Sequence, residues 1–169
     1  AIIAQKIVAT LNSTGTPAVF LHAADAIHGD LGMVQQEDVI IIISKSGNSP
    51  EIKMLIPLLK NFGNIIIGMA GNMDSDLAKR SDIVLNTTVD QEACPNNLAP
   101  TTSTTAQMVM GDTLAVCLME MKGFSSDDFA KFHPGGTLGK KLYLRVSDLF
   151  ADNEKPAVKA NQSLREVIV

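Results

Sequence analysis

Five consecutive β-branched residues, Val39-Ile40-Ile41-Ile42-Ile43, constrain this chain more than any other segment. Branched side chains fit a pleated surface and crowd a helix. A strand with no polar side has no face to give to water, so it must be covered from both sides. Apolar runs at 18–21, 65–69 and 83–85 repeat the pattern, and segments 2–12, 50–61, 75–80 and 103–122 between and after them read as helices. Strands alternating with helices predict an α/β fold: a doubly wound α-β-α sandwich around a central, mainly parallel sheet. Pro57 inside 50–61 predicts a kink or a late start. Residues 88–102 read as a loop, Gly123 ends the long helix, and Ser125 or Ser126 caps a short helix that His133-Pro134-Gly135-Gly136 breaks.

Ligands of such folds bind beyond the carboxyl ends of the strands. There the chain places Ser44-Lys45-Ser46-Gly47-Asn48-Ser49-Pro50-Glu51, directly after the apolar run. Backbone N–H groups at a helix start are unpaired, and the helix dipole favours an anion beside them. Ser44, Ser46 and Ser49 each carry a hydroxyl that can donate to a phosphate oxygen. Gly47 permits a turn that other residues resist, and Pro50 suits a first helical position. On this run alone, a phosphate loop and an ordinary turn with Ser49 as helix cap stand equally open.

Composition narrows the partners. The chain has 169 residues, a net charge of −4 and 4% aromatics, with no run of Lys or Arg longer than a pair. That leaves neither a basic stripe nor a stacking platform for nucleic acid. The longest apolar runs are too short to span a bilayer, so no membrane partner is expected. Cys94 and Cys117 read as free thiols of a reducing, cytoplasmic compartment, Cys117 as a core residue. The opening helical pattern lacks a cap, which reads as a fragment with a segment upstream. Residues 1–150 read as one domain and the polar stretch 151–161 as a linker. A capping box at 163–166 then opens a further, truncated domain at 162–169.

Further motifs sharpen the reading. His28-Gly29-Asp30-Leu31-Gly32-Met33, Glu92-Ala93-Cys94-Pro95, Ala99-Pro100-Thr101-Thr102-Ser103-Thr104-Thr105 and His133-Pro134-Gly135-Gly136-Thr137-Leu138-Gly139 follow the serine loop or flank it. In this order they resemble the sugar isomerase (SIS) domain of D-arabinose-5-phosphate isomerases, over residues 1 to about 150. The resemblance implies an aldose–ketose isomerase that interconverts D-ribulose 5-phosphate and D-arabinose 5-phosphate. The product would feed 3-deoxy-D-manno-octulosonate (Kdo) synthesis for lipopolysaccharide or capsule. It also implies a homotetramer with sites near subunit contacts, a pair of CBS modules starting near residue 162, and a first strand with a lysine-bearing glycine loop upstream of Ala1. Asn48 stands where many relatives have Glu, and it is given no chemical role.

The implied reaction moves a carbonyl between C1 and C2. It needs a base for a carbon proton and an acid for the enediolate, and neither a metal nor an organic cofactor is expected. His28 and His133 are the candidate pair, because histidine is the residue type suited to acid–base work near neutrality, and Glu51 and Glu92 serve as bases or orienting partners. The resemblance places these four in the pocket. Taken singly, His28 could cap a turn, His133 could lie in a surface loop, Glu51 could favour its own helix start and Glu92 could be solvated. Ser44, Ser46 and Ser49 are assigned to the phosphate. Ser103 and Thr104 open the long helix as a second set of anion donors or as its cap, and Lys45 faces either phosphate or solvent. His22 reads as structural. A regulatory SIS domain that binds a phosphosugar without catalysis is the competing class. A CMP-activated octulosonate (CMP-Kdo) is the expected feedback inhibitor.

Overall fold

A computed structural model describes residues 1–150, 158–163 and 165. Most of the expected linker and of the segment after it, with its capping box, lies outside the described residues. The chain forms two compact units, Ala1–Phe124 and Ser125–Val169.

The first unit is built on a three-stranded parallel sheet, β1 (Val39–Ser44), β2 (Ile65–Ala70) and β3 (Ile83–Asn86), in the order β1-β2-β3. Val39 pairs with Ile65 and Ser44 with Ala70, while Ile67 pairs with Ile83 and Ala70 with Asn86. Ser44, Ala70 and Asn86 therefore end level, and the loops that follow them leave from one edge. Successive strand residues point to opposite faces, and both faces are covered. On one, Ile42, Ile66 and Ala70 pack with Ile52, Leu55, Ile56 and Leu59 of α3 (Pro50–Phe62), Leu77 of α4 (Asp76–Arg80) and Ala26 of α2 (Ala23–Ala26). On the other, Ile43, Met69 and Leu85 pack with Ile7 and Leu11 of α1 (Ile2–Ser13) and Ala115 of α5 (Thr102–Lys122). This is the doubly wound arrangement that the strand composition demands.

Helix α3 shows why these segments are helical. Its buried residues fall at i, i+3, i+4 and i+7, which make one stripe, and Pro50 occupies the first turn. The helix starts there and runs through Pro57, so the expected late start is not adopted. Helices α1 and α5 are joined by the Lys6–Asp112 ion pair, and Lys122 Nζ donates to the Gly15 carbonyl at 3.0 Å.

Two expectations are corrected. Residues 18–21 make no strand ladder among the described residues. Pro17 has no N–H to give, and the Asn12 side chain takes both backbone groups of Ala18, accepting from its N–H at 2.7 Å and donating to its carbonyl at 3.0 Å. Cys117 is exposed on α5 rather than in the core, because Gly111 and Ala115 supply that helix's buried face there.

In the second unit, α6 (Ser126–Phe132), α7 (Thr137–Tyr143) and α8 (Val146–Phe150) follow one another. Ser125 caps α6: its hydroxyl accepts from the Asp128 N–H, and the Asp128 carboxylate accepts from the Ser125 N–H. No helix among the described residues is long and apolar enough to cross a membrane.

Leu59 has no exposed surface between α3 and the sheet. Leu59→Ala is expected to cost about 2–5 kcal/mol of unfolding free energy, read by urea denaturation.

Candidate active site

The loop after β1 is shaped by its neighbours. The Gly47 N–H donates to Ser44 Oγ at 3.0 Å, and the Asn48 N–H to Ser46 Oγ at 3.4 Å. The Gly47 carbonyl accepts from the Leu77 N–H at 3.1 Å, and Asn48 Oδ1 accepts from the Asp76 N–H at 3.0 Å, so the loop is fastened to the start of α4. The Lys45 carbonyl accepts from the Gly71 N–H at 3.1 Å, which fastens it also to the end of β2. Gly47 has φ +64°, and a Cβ there would lie 2.3 Å from Ser75 Oγ. Both facts demand glycine. The hydroxyls of Ser44 and Ser46 accept from their own loop and keep their protons to donate.

Ser49 sits at the N-cap of α3 without capping it, and Glu51 follows in the first turn. Its own backbone N–H holds the Glu51 carboxyl below the usual range, with further lowering from the Ser49 hydroxyl and a nearby His22. Glu51 is therefore ionised at neutral pH, the form a base requires. His22 caps α2, where its Nδ1 accepts from the Ala24 N–H at 3.4 Å, in keeping with a structural role. His28 follows α2 and is exposed.

Glu92 is the most constrained carboxylate. Its side chain has no exposed surface. Oε1 accepts from Lys45 Nζ at 2.5 Å and from Ser103 Oγ at 2.5 Å. Oε2 accepts from the N–H groups of Thr101 at 2.8 Å and Ser103 at 3.1 Å, and from Thr101 Oγ1 at 3.3 Å. The Lys45 ammonium, then Ser103 and the Thr101 N–H, hold its carboxyl far below the usual range. The carboxylate thus occupies the anion position at the start of α5, and both Ser103 donors are used on it. Thr104 Oγ1 donates back to the Thr101 carbonyl at 2.9 Å.

The 92–101 loop is tied to itself to hold that carboxylate. The Glu92 N–H donates to Asn97 Oδ1 at 2.6 Å, with Asn97 at φ 53°. The Ala93 N–H donates to Thr101 Oγ1 at 2.8 Å, and Cys94 Sγ accepts from the N–H groups of Leu98 and Ala99 at 3.0 and 3.1 Å. The Ala99 and Leu98 N–H groups lower the Cys94 thiol pKa. Sequence reasoning gave Asn97 and Thr101 no role. Neither carries a spacing signal, since the loop conformation alone brings them to Glu92.

In the second unit His133 ends α6. Its ring stacks on Phe129 with centroids 3.8 Å apart, and Nδ1 lies 2.8 Å from the Phe129 carbonyl oxygen. A carbonyl only accepts, so Nδ1 carries the hydrogen in this contact and Nε2 is the ring nitrogen it leaves over. Gly139 of α7 approaches so closely that a Cβ there would meet the His133 carbonyl at 2.1 Å.

Doubly wound α/β domains take their ligands beyond the carboxyl ends of the strands, the edge where this hydroxyl loop lies. The SIS domain family model matches residues 1–117, and the chain belongs to that family. It is 51% identical over 166 residues to arabinose 5-phosphate isomerase KpsF of Escherichia coli O6:H1, covering 98% of this chain and 50% of that protein. It is 52% identical over 165 residues to arabinose 5-phosphate isomerase KdsD of Yersinia pestis, covering 97% and 50%. The chain thus spans about half the length of the curated relatives it matches. A solved structure of an Escherichia coli CFT073 protein in complex with arabinose 5-phosphate is similar with a TM-score of 0.76 and 45% identity. That match covers 79% of this chain and 71% of that one.

Gly47→Ala puts a side chain at positive φ and against Ser75. Inorganic phosphate affinity, read by calorimetry, is expected to fall by about tenfold or more as the loop is pushed open. Unchanged affinity would remove this loop as the anion site.

Proposed function

We propose that this chain is the catalytic SIS domain of an aldose–ketose isomerase that interconverts D-ribulose 5-phosphate and D-arabinose 5-phosphate. The observation that carries the reading is identity near one half, over nearly all of this chain, to proteins named for that activity. The 44–49 loop supplies what the substrate phosphate needs, two hydroxyls free to donate beside a lysine.

In the proposed reaction a base removes the C2 proton of the open-chain aldose, leaving a 1,2-enediolate. Protonation at O1 and delivery of a proton to C1, with loss of the O2 proton, gives the ketose. No electrons enter or leave, and one proton is taken up for each released. Glu51 is held in the ionised form that a base requires. His133 exchanges a proton at Nε2, because Nδ1 is engaged, and His28 completes the set. The phosphate takes Ser44, Ser46 and Ser49, the last by turning from Glu51. Ser103 and Thr104 contribute by shaping the start of α5, and Glu92 acts by holding other groups.

The reading extends to residues 1–150 as an isomerase domain, joined by a linker to the start of a CBS pair. It also extends to a cytoplasmic homotetramer whose product leads to Kdo for lipopolysaccharide or capsule, and to inhibition by CMP-Kdo. The unpaired thiols of Cys94 and Cys117 fit a reducing compartment. Sedimentation of the full-length protein is expected to give four chains per particle, and saturating CMP-Kdo is expected to slow turnover. A smaller particle removes the first extension, and unchanged turnover the second.

The test of the central reading is turnover of D-arabinose 5-phosphate by the full-length protein beside its His28→Ala and His133→Ala variants. Each variant is expected to lose about a hundredfold or more in kcat while retaining phosphosugar binding. A wild-type protein that binds the sugar tightly and converts none would be a sensor, the competing class.

A further inference from the structure

Glu92 has a geometry that proton transfer does not use. A carboxylate offers about four lone-pair positions, and five donors already converge on this one. With no exposed side-chain surface, it has no open path to a carbon proton. Removing any one donor would leave buried charge short of a partner, which is costly.

Lys45 is the reverse case. It belongs to the hydroxyl loop, its side chain is half exposed, and its ammonium spends one N–H on Glu92. An ammonium has three N–H donors. A free lysine on a turn samples many rotamers, and ordering it on binding costs free energy. Here the buried carboxylate fixes that ammonium beforehand, while the same carboxylate fixes Thr101 and Ser103 at the start of α5.

We propose that Glu92 is a positioning residue. It stays ionised throughout and holds the Lys45 ammonium at the mouth of the 44–49 loop, where that ammonium binds the phosphomonoester of the substrate. This rests on the isomerase reading for the identity of the substrate. The phosphate contact rests only on the loop and the ion pair. The depressed Glu92 carboxyl accords with it, since a group ionised across the working range exchanges no proton. Besides Lys45, Cys94 is the titratable neighbour that senses the charge of Glu92.

The experiment compares Glu92→Gln, Lys45→Met, Lys45→Arg and the Glu92→Gln/Lys45→Met double variant in the full-length protein. Inorganic phosphate is titrated calorimetrically, and D-arabinose 5-phosphate kinetics are followed against pH. Glu92→Gln and Lys45→Met are each expected to weaken phosphate by about tenfold and to raise KM by a similar factor. The double variant is expected to be little worse than either single one, because both remove one coupled unit. Lys45→Arg is expected to recover much of the loss, and the acid limb of the kcat profile is expected to stay in place in Glu92→Gln. If Glu92→Gln is unfolded by circular dichroism, the half-exposed Lys45→Met carries the phosphate arm alone. Unchanged phosphate affinity in Lys45→Met overturns the proposal. So does a Glu92→Gln enzyme with wild-type KM, a collapsed kcat and no acid limb, which would make Glu92 the base. Phosphate affinity that falls in the variants of a protein converting no phosphopentose keeps this proposal and removes the isomerase reading.

Discussion

The register of three parallel strands is the constraint on which the rest depends. Because Ser44, Ala70 and Asn86 end level, the segments that leave them must share one edge of the sheet. Sharing that edge lets α4 brace the first loop through Leu77 and Asp76, and lets the segment after β3 send Glu92 to the lysine of that loop. A slip of one residue in either ladder would turn each isoleucine to the wrong face and separate these partners. Two hydrophobic layers of opposite facing therefore fix a polar arrangement at that edge, and Leu77 belongs to both, buried in one layer and bonded to the loop through its N–H.

Within that frame the site is organised by internal satisfaction of charge. The 92–101 loop contains no regular structure, yet Asn97, Thr101 and Cys94 each bind its own backbone. These bonds do for an irregular segment what ladders do for a strand. Their product is a carboxylate delivered to the first turn of α5, where backbone donors and the helix dipole both favour it. In the second unit, taken by itself, His133 shows the same economy at smaller scale, with one ring nitrogen assigned by a carbonyl and the ring stacked on Phe129.

What could be read in the chain beforehand follows from where the physics is local. β-branched runs, the stripe of α3 and the box around Ser125 announce themselves, because periodicity and capping act over a few residues. The hydroxyl loop was legible for the same reason, including the need for glycine at 47. Residues 18–21 misled, since four apolar residues look alike whether or not a strand lies beside them; only Asn12 and Pro17 show where their backbone bonds go. Cys117 misled because a helix as apolar as α5 does not advertise which side faces in. The destination of Glu92 was out of reach altogether. Its partners lie 47 residues upstream and 11 residues downstream, and nothing but the folded loop brings them together.

Ser44 and Ser46 each receive a hydrogen from their own loop. Each hydroxyl keeps its own proton and one further lone pair, so the loop's internal bonds fix one of three hydrogen-bonding positions on each serine. The backbone of an irregular turn thereby orients the side chains it carries, a task that neighbouring strands perform elsewhere in the sheet.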